Sequence, residues 1–191
     1  MLDALFRHPR QSIQPRIMKA AFRLRFPISK IEYWAKRYDY EANDDEKKIV
    51  PIARAVKRRG YLTKKEFLTV CRWKTPRSQP RCRKNSPDFI RNVTKCALST
   101  SVERLRIEKL ISLDGVGWPT ASVILHFFHS APYPIMDFRA LWSLKNEVLK
   151  SYGFNFWQEY TSYCRGLSKR AGVSMRTLDR ALWQFSKENQ R

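Results

Sequence analysis

The sequence predicts an all-α fold, and two observations carry that expectation. Runs that alternate β-branched with polar residues over a useful strand length do not occur, so a sheet has little to be built from. Helix start and stop signals, in contrast, recur at short intervals along the whole chain. Of the 191 residues, 43% are hydrophobic and 13% aromatic. That is enough to bury a core as one domain or as two small lobes, and it argues against intrinsic disorder.

From the N-terminus, Ser29 or the residues after it open a helix through Ile31, Tyr33, Trp34 and Tyr38. A second starts near Asn43-Asp44-Asp45-Glu46, whose carboxylates suit a helix N-terminus; it carries Ile49, Val50, Ile52, Ala53 and Val56 and ends at Gly60. Thr63 and Glu66 have capping-box spacing, with Phe67, Leu68, Cys71 and Trp73 as the apolar face behind them. The stretch from Lys74 to Asn85 is basic, interrupted by Pro76 and Pro80 and short of aliphatics, and is expected to be a loop. Ser86-Pro87 places an N-cap before a proline at the first helical position, launching a helix through Phe89, Ile90, Val93, Cys96 and Ala97. Thr100 and Glu103 repeat the capping-box spacing, with Val102, Leu105, Leu110 and Ile111 as candidate core. Three more helices are expected at about 138–150, 155–170 and 175–188, the last capped by Ser174. No repeat, low-complexity tract or clear linker divides the chain.

Charge narrows the class of partner. Lys and Arg total 38 against 17 Asp and Glu, a formal net charge of +21, and the isoelectric point is near 10.3; such an excess points to a polyanion. The most apolar stretch, Val123 to Phe128, is far too short to span a bilayer, so no membrane role is expected. The first 27 residues are Arg-rich, but Asp3, Pro9 and Pro15 interrupt the amphipathic helix of a transit peptide. They are read instead as an arm that contacts DNA or as a docking helix. No secretory signal is visible, and the expected location is the cytoplasm or nucleoid. Cys71, Cys82, Cys96 and Cys164 form no C-x-x-C pair and are read as buried small hydrophobes. His126 and His129 lack an adjacent carboxylate or third ligand and are read as core or surface histidines, so no metal is expected.

The segment 102–144 carries the chemistry. A helix, the tight turn Asp114-Gly115-Val116-Gly117 and a helix opened by Pro119-Thr120-Ala121 follow one another. Two glycines two apart allow a sharp turn and a close approach to a ligand, and a helix start presents N–H groups without intrahelical partners. Together they can cradle a phosphate. Gly-Val-Gly alone is weak evidence, since many helix turns carry glycine as a C-cap. The wider pattern is more specific: Leu113, Gly115, Val116, Gly117, Thr120 and Ala121, an apolar helix, a loop with Pro134, then Asp137 and Arg139 where another helix starts.

That pattern resembles the helix-hairpin-helix DNA glycosylase superfamily, often called HhH-GPD, closely over about 40 residues and through its helical pattern over roughly 30–188. The resemblance implies two helical lobes around a central cleft, with residues 1–191 forming one compact unit. Within it the hairpin falls at about 102–129, the catalytic loop and helix at about 130–150, and the N-terminal arm at about 1–28. Gly115, Val116, Gly117, Trp118 and Thr120 would bind the DNA backbone and Asp137 would be catalytic. The implied partner is double-stranded DNA with an extruded nucleotide, bound by a monomer.

Departures from the family pattern matter. Pro119 stands where backbone-cleaving members carry a lysine, and it has no amine with which to form a Schiff base, so no lyase activity is expected. Some relatives bind an iron–sulphur cluster near the C-terminus, but here only Cys164 lies in that region. No cofactor is expected; a monovalent cation at the hairpin stays open. Asp137 is followed by Phe-Arg-Ala-Leu rather than the commoner Thr/Val-His/Asn-Val, which marks a divergent branch and leaves the base unspecified. The chain looks like a small bacterial-type subgroup lacking both lysine and cluster, of which some members are linked to defence against phages with modified cytosines.

An aspartate suits base excision because positive charge builds on the deoxyribose as the base departs, and a fixed carboxylate stabilises it. The competing reading is that Asp137 merely caps the helix at Phe138. A base inside a duplex must be extruded into a pocket, and Trp73, Lys74 and Arg77, with Arg139, are the candidate contacts. Against this, Trp73 could lie in the core beside a solvated basic loop, and Trp118 could pack under the hairpin. Tyr33, Trp34, Trp142, Trp157 and Trp183 are read as core. The two function classes are then a hydrolytic DNA glycosylase and a non-catalytic DNA-binding module, and Asp137 discriminates between them.

Overall fold

The computed structural model describes residues 22–39, 43–144 and 152–190. Most of the N-terminal arm and the 145–150 end of the helix expected at 138–150 lie outside the described residues. Among those described there is no strand. The helices are α1 (Ile31–Lys36), α2 (Asn43–Arg59), α3 (Lys64–Lys74), α4 (Gln79–Cys82), α5 (Pro87–Ser99), α6 (Glu103–Ile111), α7 (Trp118–Phe128), α8 (Phe138–Ser143), α9 (Phe154–Ala171) and α10 (Met175–Asn189).

Caps explain most of the boundaries. Thr63 and Glu66 form a full capping box, each side chain taking the other's backbone N–H. Ser86 accepts from the Phe89 N–H and Ser174 from the Thr177 N–H, closing the starts of α5 and α10. The box expected at Thr100 and Glu103 does not form. Glu103 turns instead to Arg106, at 3.1 Å, and to the Tyr133 hydroxyl, at 2.8 Å, and two partners inside the fold outcompete one backbone N–H. The stretch from Lys74 to Asn85 is not an open loop either. A 3-10 turn at Pro76–Ser78 leads into α4, each with a proline in its first turn where no N–H is needed. Helix α2 runs through Pro51, with Ile49 and Val56 fully buried on either side of it, so packing overrides the local penalty.

The core is built where these elements meet. Helix α10 packs on α1, α8 and α9, while α3 and α7 pack on each other and on α2. Trp157 and Tyr160 of α9 are fully buried, and Trp157 stacks on Tyr133 at 5.7 Å; side chains of this size carry much of the stabilisation. The end of the arm belongs to this core: the Arg23 and Arg25 N–H groups bond to the Leu144 and Ser143 carbonyls, and Phe26 packs on Phe185 at 4.6 Å. Tyr33, expected in the core, is 48% exposed, with the Lys30 and Arg37 cations over its ring. No helix among the described residues is long and apolar enough to cross a membrane.

Candidate functional site

Three contacts fix the segment that delivers Asp137. The His126 Nδ1 is 2.6 Å from the Tyr133 carbonyl; burial lowers its pKa to about 3, so the ring is neutral and its Nδ1–H donates. The Ser122 hydroxyl accepts the Met136 N–H at 2.8 Å, and the Tyr160 hydroxyl donates to the Ile135 carbonyl at 2.7 Å. Asp137 then caps α8, its Oδ1 accepting the Arg139 N–H at 2.9 Å. The capping reading of Asp137 is therefore correct as far as it goes, but it engages one oxygen.

The other oxygen meets Lys74. Lys74 Nζ lies 2.5 Å from Asp137 Oδ2, with side-chain exposures of 11% and 16%. Burial opposes ionisation of the Asp137 carboxyl. The Lys74 ammonium and the Arg139 N–H outweigh it and hold the carboxyl below the usual carboxylate range. The sequence offered Lys74 as a candidate DNA contact at the edge of a loop, without its pairing to Asp137. The fold sets it on the last turn of α3, facing into the molecule.

Around this pair, Tyr38, Trp73, Ile135, Asp179 and Trp183 complete a cavity of about 60 Å³. Trp73 is buried, edge-on to Phe127 at 5.6 Å; it is at once a core residue and a wall of the cavity, so its two readings are not exclusive. Arg139 lies over the Trp183 ring at 5.3 Å. Behind the cavity, Arg176 pairs with both Asp179 and Glu46, and Arg180 reaches Glu46 at 2.8 Å. The Arg176 guanidinium also faces the Tyr38, Trp73 and Phe127 rings at 5.3, 5.8 and 5.5 Å. Lys74 thus stands beside Asp137, and Arg176 and Arg180 beside Asp179 and Glu46, so each buried acid has a cation next to it.

The turn between α6 and α7 borders a different groove, of about 390 Å³, lined among others by Thr75, Ser78, Arg81, Gly115, Gly117 and Thr120. Asn85 holds this turn: its Oδ1 accepts the Asp114 N–H at 2.9 Å and its Nδ2 donates to the Asp114 carbonyl at 3.0 Å. Gly115 has φ +80°, and a Cβ there would lie 2.7 Å from Cys82 Sγ and 2.9 Å from the Cys82 nitrogen. Its close approach is to α4, not to a ligand. Gly117 is exposed, opens α7 without a side-chain cap and has room for a Cβ. The Val116 and Thr120 side chains are buried, with Thr120 Oγ1 3.1 Å from Thr75 Oγ1; Thr120 can offer only backbone to a ligand, and the Val116 N–H is already held by the Leu113 carbonyl at 3.0 Å. Trp118 is partly buried, 6.4 Å from Trp157. Arg77 is exposed and borders neither cavity.

The fold therefore gathers Trp73, Lys74, Asp137 and Arg139 at one place and the turn residues at another, joined through the adjacent Lys74 and Thr75. Sequence reasoning missed Asp179, Arg176 and Arg81 and assigned Trp183 to the core. Arg81 carried a signal, its place in a basic proline-rich stretch. The acid and the base on α10 carried none, because Arg176 and Asp179 at helical spacing read as a solvated ion pair. No protein-family model, no curated protein and no solved structure matches the chain.

Proposed function

We propose that the chain is a DNA glycosylase of the helix-hairpin-helix kind. It hydrolyses the N-glycosidic bond of a damaged or modified nucleotide, a modified cytosine of phage DNA being one candidate, and leaves an abasic site. The observation that carries this reading is Asp137 itself: an ionised carboxylate at the start of α8, in a cavity walled by Tyr38, Trp73 and Trp183. Aromatic faces stack on an extruded base, and the carboxylate stabilises the cation that develops at C1′. The α6–α7 turn, with the start of α7 and Arg81 beside it, supplies backbone N–H groups and a cation to phosphates.

A cavity of about 60 Å³ holds roughly two waters rather than a base. Entry of a nucleotide requires the Lys74 ammonium to leave Asp137, and a DNA phosphate is the anion that replaces its partner. Position 119 offers no amine and the Lys74 amine then faces phosphate, which favours water as the nucleophile. The closed pair supports a second reading, a DNA-binding module in which Lys74 and Asp137 are a structural ion pair.

One experiment separates the two. The purified protein is incubated with duplexes carrying uracil, hypoxanthine, an oxidised guanine, an alkylated purine or glucosylated cytosine, and abasic sites are scored. The glycosylase reading expects excision from at least one duplex and its loss in Asp137→Asn, with DNA affinity equal or slightly higher because a negative charge near phosphate is gone. Undiminished single-turnover excision by Asp137→Asn removes the carboxylate from the mechanism, and absence of excision from every duplex leaves the binding module.

A further inference from the structure

Two carboxylates border the same cavity, Asp137 ahead of α8 and Asp179 on α10, and their surroundings differ. Asp137 faces the Lys74 ammonium and a helix-start N–H. Asp179 is 8% exposed and gives one oxygen, Oδ2, to Arg176, a cation it shares with Glu46. The charged groups acting on Asp179 are Arg176 on its own helix, Lys74 on α3, Asp137, and Glu46 on α2. Tyr38, and Tyr160 and Cys164 on α9, are the other titratable groups that feel its charge. Burial, opposed by Arg176 and Lys74 and assisted by repulsion from Asp137 and Glu46, pushes Asp179 up to about 6, while Asp137 is held low. Two acids in one site driven in opposite directions divide the roles of acid and base between them.

We propose that Asp179 is the general acid of the site, a second catalytic residue that hands its proton to the departing base while Asp137 stabilises the sugar. The proposal rests on the glycosylase reading above. As the C1′–N bond breaks, its electron pair stays with the base. The proton on Asp179 passes to an acceptor nitrogen or oxygen of that base, which leaves as a neutral molecule. Asp137, ionised, faces the oxocarbenium ion at C1′. Water adds its oxygen to C1′, the proton it releases passes through Asp137 to solvent, and Asp179 recovers a proton from solvent.

This mechanism separates substrates by charge. A neutral base needs a proton to become a good leaving group, whereas a ring-alkylated purine already carries a positive charge and leaves without one. Single-turnover excision by the full chain is therefore measured across pH on duplexes with neutral bases (uracil, hypoxanthine, oxidised guanine or glucosylated cytosine) and on a duplex with a cationic alkylated purine. For a neutral base the rate falls about tenfold per pH unit above the Asp179 pKa, about 6 in the free protein and higher once Lys74 turns to phosphate, as Asp179 loses its proton. Asp179→Asn slows that excision by about 10²- to 10⁴-fold and abolishes the alkaline fall, Asp179→Glu keeps the fall, and excision of the cationic purine changes less than tenfold. A wild-type rate on neutral bases that does not decline above that pH overturns the assignment, and this measurement needs no variant to fold. Equal losses on both substrate classes in Asp179→Asn, with the profile unmoved, also overturn it and leave Asp179 as the partner of Arg176. If the wild type excises nothing, it is the glycosylase reading that fails.

Discussion

The ammonium of Lys74, 2.5 Å from Asp137 Oδ2, is the attraction that keeps a largely buried carboxyl ionised. Replacing it with methionine preserves length and apolar packing but removes the charge. The Asp137 pKa then rises toward the value that burial favours. On the proposed mechanism excision requires Asp137 ionised, so kcat/KM, which reports the free protein before DNA draws Lys74 away, is lost as pH falls through that pKa, and in Lys74→Met its acid limb moves to higher pH. An unmoved acid limb would show that Lys74 does not govern Asp137. Trapping with borohydride adds a control, since an amine is present at the site despite Pro119: any covalent complex with DNA maps to Lys74 and vanishes in Lys74→Met. None of this was readable along the chain. Asp137 stood out only through the family pattern it resembles, but its partner lies 63 positions earlier, at the end of a helix whose last residue looked like the first of a loop. Asp179 and Arg176 look like a surface pair until Tyr38, α2 and α3 cover them.

At the scale of elements, the turn between α6 and α7 divides the work of its two glycines. Gly115 sits at φ +80° against Cys82, with contacts of 2.7 and 2.9 Å awaiting any Cβ. An alanine there combines left-handed backbone strain, roughly 1–2 kcal/mol, with a clash against α4 backbone that cannot rotate away. Gly117 has an ordinary extended backbone, and an alanine would meet nothing closer than Pro119 at 3.8 Å. The expected outcome is that Gly115→Ala lowers the melting temperature by several degrees, whereas Gly117→Ala melts with the wild type. Gly117→Ala nevertheless weakens binding to unrelated duplexes by a similar factor, because phosphate contacts carry no sequence information. Normal binding by folded Gly117→Ala would make the turn purely structural, and a loss confined to some sequences would make it a reader of bases. Local signals predicted elements well where nothing distant competed, as at Thr63 with Glu66. They failed where a distant partner did compete, as at Glu103, drawn to Tyr133 as well as to Arg106 on its own helix. The 74–85 stretch hid two helical turns because proline, which breaks a helix interior, is favourable in a first turn.

Across the whole molecule, the net charge of +21 is spent unevenly. Lys74 and Arg176 are tied to buried carboxylates and are largely covered, whereas Arg180, though paired with Glu46, remains partly exposed. Arg77 and Arg81, both exposed, lie along the stretch that leads from the cavity toward the groove beside the α6–α7 turn, and Arg81 borders that groove. Binding to a duplex should therefore follow counterion release, with log affinity falling linearly as log salt rises. Its slope counts the phosphates neutralised, and a surface of this charge meeting six to ten of them would lose about 10³- to 10⁵-fold in affinity between 50 and 200 mM salt. The groups that contribute can be separated by substitution. Arg81→Ala should flatten the slope by about one and weaken binding to all sequences alike. Glu46→Gln, which breaks a buried pair remote from the groove, should lower the melting temperature and leave the slope unchanged. The measurement is affinity for an undamaged duplex at several salt concentrations for wild type and both variants. An Arg81→Ala slope equal to that of the wild type would place the DNA backbone somewhere other than this groove. The cavity and the turn would then no longer lie on one path of the strand, and the division of labour between a gripping turn and a reacting pocket would have to be redrawn.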